Sequence, residues 1–154
     1  MDRTAAEQLE HTVNTVRAAL ASESELSTVI LYGSAASGTL RTGGELESDV
    51  DIAVAGAAPL ETERILALKS RLSLATGCEV DLVDLRCLHG LILEQVLTRG
   101  RILRRDDADF LAEKTLEMFD YQTFFAPILR SARSLRIRTF TSPEGEPARR
   151  SHGS

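Results

Sequence analysis

Five consecutive residues, Thr28-Val29-Ile30-Leu31-Tyr32, are β-branched or apolar at every position. A strand of this kind has no face to give to water, so it has to lie inside a sheet that is covered on both sides. It stops at Gly33. Two further runs share its character but contain acids: Asp49 to Ala55 (DVDIAVA) and Glu79 to Leu85 (EVDLVDL). In the first, the period of two sets Asp49 and Asp51 on one face and Val50 and Ile52 on the other. Arg101-Ile-Leu-Arg104, after a Gly100 turn, reads as a shorter edge strand.

Helical patterns alternate with these strands. Thr4 and Glu7 form a capping box before Leu9, Val13, Val16 and Leu20, predicting a first helix to about Ala21. Pro59 opens and Gly77 closes a second, with Ile65, Leu68, Leu72 and Ala75 as its buried stripe. A short helix over residues 88–98 follows. Asp106 caps a long last helix from Asp107 towards Leu135, which Pro127 should kink. Between the first two strands, Gly38, Thr39, Thr42, Gly43, Gly44, Glu45 and Glu47 read as a loop. Past Arg138 almost nothing is apolar. The pattern predicts an α/β domain over residues 1–138 and a disordered tail over 139–154.

With 154 residues, 43% hydrophobic, the chain supports one core, and its net charge of -5 with pI near 5.2 excludes a protein that coats nucleic acid or an anionic membrane by bulk charge. No direct nucleic-acid binding is expected. No apolar run is long enough to span a membrane, and a cytoplasmic location is expected. Cys78 and Cys87 form no C-x-x-C pair and read as buried free thiols. His11, His89 and His152 lack paired ligand spacing, and Gly33-SAAS-Gly38-Thr39 lacks the lysine of a phosphate-binding P-loop.

The acids carry the chemistry. Carboxylates at i and i+2 of one strand, joined by a third from a neighbouring strand, gather the oxygen ligands that hard divalent cations need. Asp49 and Asp51 form the pair. Asp81 is the natural third, since it sits mid-strand between Val80 and Leu82, where a buried acid without a partner would be costly. Asp84 has the opposite parity and is expected to cap a turn or meet solvent. Upstream, Gly33 allows close approach of the backbone to a triphosphate, and the Ser34 hydroxyl can donate to it.

Gly33-Ser34 at a strand end, a spacer, and Asp49-x-Asp51 on the next strand resemble the hallmark of the polymerase-beta-like nucleotidyltransferase superfamily. The stretch from Val29 to about Arg105, followed by one long helix, is similar to the minimal nucleotidyltransferases (MNT) that serve as antitoxins beside HEPN-domain toxins. The resemblance implies a mixed β-sheet flanked by helices and two Mg²⁺ ions held by Asp49, Asp51 and Asp81. It also implies ATP as nucleotide donor at Gly33 and Ser34, and AMP transfer to a tyrosine hydroxyl of a HEPN ribonuclease partner. Positions 35 to 48 make a spacer of fourteen residues, longer than the ten usual in that family. Ser37 stands where an arginine is common there, and Arg41 is the spacer cation able to replace it.

Two alternatives stand beside this reading: a nucleotidyltransferase acting on a small molecule such as an antibiotic, and an antitoxin that works by binding alone. The short chain argues against the first and the full set of acids against the second. Tyr121, Phe124 and Phe125 cover too wide an arc of a helix to face one core, so part of the cluster is expected to meet a partner chain. Arg130, Arg133, Arg136, Arg138, Arg149 and Arg150, against Glu144 and Glu146, make the C-terminal end locally basic and suited to an acidic partner patch.

Overall fold

The computed structural model describes residues 4–36 and 50–141. These fall into two compact units, one running to Met118 and the other beginning at Phe119. In the first, helix α1 (Ala5–Leu20) opens on the expected capping box, the Thr4 hydroxyl accepting from Glu7 N–H and the Glu7 carboxylate from Thr4 N–H, both at 3.3 Å. Strand β1 (Thr28–Tyr32) is buried at all five positions and leads directly into a single helical turn, α2 (Gly33–Ala36). Strand β2 (Val50–Ala55), helix α3 (Thr62–Thr76) and strand β3 (Val80–Asp84) then form a parallel crossover. Helix α4 (Gly90–Arg99), strand β4 (Arg101–Arg105) and helix α5 (Ala108–Asp120) complete the order.

The sheet runs β3-β2-β1-β4, with β1 antiparallel to both its neighbours. It is therefore mixed, and β1 is interior, as its composition requires. One face packs Leu31, Ile52, Val54 and Val80 against Val13 and Val16 of α1 and Leu68 and Leu72 of α3. The other packs Ile30, Tyr32, Ala53 and Ala55 against Leu93 and Val96 of α4 and Phe110 and Leu111 of α5. Burying apolar side chains on both faces, at roughly 1.5–3 kcal/mol each, is what holds the layers together. The Arg104 guanidinium donates to the carbonyls of Leu20, Glu23 and Leu26, satisfying the end of α1 and the turn after it. No helix among the described residues is long and apolar enough to cross a membrane.

Several boundaries differ from expectation. Helix α3 starts at Thr62, not at Pro59, because the Leu60 N–H is taken by the Asp84 carboxylate at 2.7 Å, which holds the chain extended until Glu61. Ala75 is exposed and lies off the buried stripe. Asp107, not Asp106, caps α5 by accepting from Phe110 N–H at 3.0 Å, while Asp106 N–H donates to Ser27 O. Cys78 packs against the core, but Cys87 is exposed, since it ends a short 3₁₀ turn (Leu85–Cys87) on the surface.

In the second unit, a π turn over Tyr121–Phe125 precedes helix α6 (Ala126–Thr141). Pro127 has no N–H and crowds the preceding turn, and widening that turn is a way of accommodating it inside a helix. The helix runs past Arg138 to Thr141, and the rest of the expected tail lies outside the described residues.

Candidate active site

The registers of β1, β2 and β3 put Tyr32, Asp51 and Asp81 in one row, Tyr32 opposite Asp51 and Asp51 beside Asp81. Side chains in such a row share a face, and neighbouring strands are about 5 Å apart. β1 runs opposite to the other two, so its end and their beginnings meet at the same rim of the sheet. At that rim the apolar period gives way to acid, and β1 delivers Gly33 and Ser34.

Gly33 has a positive φ of 71°, and a Cβ there would stand 2.2 Å from Asp51 Oδ2 and 3.1 Å from its Cγ. The glycine is therefore required twice, for its backbone conformation and for the carboxylate that lies against it. Tyr32 feels both acids. Burial, then the charges on Asp51 and Asp81, push its phenol up from 10 to about 12, so it remains a neutral hydroxyl at physiological pH.

Asp81 corrects one expectation. Its side chain is 64% exposed, with Lys69 Nζ 4.0 Å from Oδ1. β3 is an edge strand, and while Val80 and Leu82 point into the core, the opposite parity at this end of the strand opens to solvent. No burial cost calls for a metal at Asp81; its register beside Asp51 is what makes it a candidate ligand. Asp84 caps a turn as expected, accepting from Arg86 N–H at 2.9 Å as well as from Leu60 N–H, but it is only 5% exposed and so does not meet solvent. Asp49 and Arg41 lie outside the described residues, as does the loop expected over 38–47. Among the described residues no three potential ligands gather into a metal cluster. Asp51 and Asp81 contribute two carboxylates, a donor set suited to a hard divalent cation, to which Asp49 would be added.

A cleft of about 360 Å³ opens at this rim, lined by Tyr32, Gly33, Ser34, Asp51, Gln95 and Arg99. Gln95 and Arg99, one turn apart on α4, were not singled out from the sequence. Their signal was faint: a polar i, i+4 pair beside the buried Leu93 and Val96.

Residues 14–109 match the family described as polymerase beta, nucleotidyltransferase. The chain belongs to that family. Among curated proteins, this nucleotidyltransferase is 34% identical over 99 residues to protein adenylyltransferase MntA of Shewanella oneidensis, a match covering 63% of this chain and 68% of the relative. Among solved structures it resembles a chain of a toxin-antitoxin crystallised with AMP-PNP, at 27% identity and TM-score 0.60, covering 84% of this chain and 98% of that one. It also resembles a chain of the tri-AMPylated Shewanella oneidensis HEPN toxin in complex with MNT antitoxin, at 25% identity and TM-score 0.61, covering 87% and 99%. The acids and the Gly-Ser turn of this nucleotidyltransferase fall inside the matched family segment.

Proposed function

We propose that this chain is an antitoxin adenylyltransferase that transfers AMP from ATP to a tyrosine hydroxyl of a HEPN ribonuclease toxin. The observation that carries the reading is the registered pair Asp51 and Asp81 beside a glycine fitted to the Asp51 carboxylate. The relative named as a protein adenylyltransferase, and the similar chain from a complex holding a tri-AMPylated HEPN toxin, give the donor group and the class of acceptor.

Gly33 and Ser34 hold the triphosphate, and Asp49, Asp51 and Asp81 would hold two Mg²⁺ ions. Bound there, the ions supply charge neutralisation on the phosphates and activation of the attacking oxygen. The acceptor hydroxyl oxygen bonds to the α-phosphorus as the bond to the β-phosphate oxygen breaks, and pyrophosphate leaves with the electron pair. Asp81, solvent-open at the sheet edge, takes the hydroxyl proton. Catalysis is chiefly positioning, and Gly33, lacking a Cβ, leaves the room that the Asp51 carboxylate occupies.

The test incubates the chain, ATP labelled at the α-phosphate and Mg²⁺ with the HEPN protein encoded beside it, using Asp51→Asn as control. Label on the HEPN protein, lost in the variant, is the expected result. Toxin neutralised without label would replace this reading with binding alone, and label on an aminoglycoside would replace the acceptor.

A further inference from the structure

We propose that Arg99 binds the leaving half of the nucleotide, the β- and γ-phosphates. The inference rests on the reading of the site given above and adds to it the residue that grips the outgoing pyrophosphate.

Arg99 is the last residue of α4, and it is the one cation among the described residues lining the cleft with Gly33, Ser34 and Asp51. The glycine that follows lets the helix end reach that position. A Cβ on Gly100 would stand 2.5 Å from Ile30 Cγ2 and 2.2 Å from Val96 O, so only a glycine lets the end of α4 close onto β1. Among the described residues the Arg99 guanidinium enters no salt bridge, although other surface arginines, Arg64, Arg71 and Arg101, pair with Glu23, Glu25 or Glu10. Its cleft also contains the Asp51 carboxylate and the carbonyl end of α4, both unfavourable to phosphate. A triphosphate entering there needs a cation on that wall, and an arginine presents two parallel donors to phosphate oxygens.

The order of groups across the rim assigns the phosphates. From β3 to α4 it runs Asp81, Asp51, Gly33-Ser34, Arg99. In-line displacement sets the entering and leaving oxygens on opposite sides of phosphorus. With the acceptor on the Asp81 side, the leaving group points to Arg99.

Equilibrium binding of ATP and of AMP to the full chain, in the presence of Mg²⁺, tests this without turnover. Arg99→Ala should weaken ATP roughly tenfold to a hundredfold, the loss of a charge-assisted contact, and leave AMP within about twofold. Arg99→Lys should recover part of the difference. Both variants should melt with the wild type, since the side chain is exposed. In the transfer assay Arg99→Ala should raise the KM for ATP more than it lowers kcat. Equal weakening of ATP and AMP, unchanged ATP binding, or a discrimination lost in Arg41→Ala but kept in Arg99→Ala would each overturn the assignment. If the wild-type chain transfers no AMP yet Arg99→Ala weakens ATP and spares AMP, the proposed function fails and the Arg99 assignment stands.

Discussion

Gly33 and Tyr32, adjacent at the end of β1, have opposite relations to Asp51. Gly33 makes room for the carboxylate, so Gly33→Ala should cost about 1–2 kcal/mol for the left-handed backbone alone. Displacing the Asp51 carboxylate should also lower AMP transfer about a hundredfold. A denaturant melt and the labelled assay read the two effects separately. Tyr32 instead responds to its burial and to the acids' charge. Its phenol titrates near 12 in the folded chain and near 10 when unfolded, so the unfolded chain releases the proton first. Stability from this residue is intact below pH 10 and falls as the pH rises towards 12. Denaturation midpoints across that window should fall less steeply in Tyr32→Phe; equal slopes would show that neither burial nor the acids shift this hydroxyl. Sequence patterning made Gly33 legible as the end of the strand, but the 2.2 Å clash that makes it indispensable depends on register. A period of two says which face a residue is on and nothing about its partner across the strand.

At the scale of elements, the strands were legible because each is a short apolar run, and β1 most of all because it is interior. The start of α3 was not. Pro59 is a good first helical residue, yet the Leu60 N–H bonds to an acid 24 residues away. Asp84 joins that segment to the 3₁₀ turn after β3 through two backbone N–H groups. Asp84→Ala should destabilise the fold by about 2–4 kcal/mol, the cost of two unpaired N–H groups. ATP binding by the folded fraction should be unchanged. Loss of binding in folded protein would place Asp84 in the site. Asp81 shows the reverse error: flanking valine and leucine suggested burial, but an edge strand buries one face and opens the other. Arg99 was hidden because its role comes from the closure of α4 onto β1 at Gly100, which pairs residues about seventy positions apart.

For the whole molecule, the second unit presents Phe124, Phe125, Ile128 and Leu129 to solvent, at 49–66% exposure. Exposed apolar side chains clustered on one short stretch mark a surface for another protein. Phe125→Asp with Ile128→Asp should abolish co-purification with the HEPN protein while ATP binding persists. A complex that survives both changes would move the partner surface elsewhere. The acidic overall charge fits a chain that meets a protein and a single nucleotide, with phosphate held locally at the cleft. In the proposed function the rim of this sheet moves AMP onto the toxin. Mass spectrometry of the HEPN protein, after co-expression with wild type or Asp51→Asn, tests it most directly. One or more adenylyl groups on a tyrosine with wild type, and none with the variant, is the expected result. An unmodified toxin that the wild-type chain nonetheless silences would contradict it.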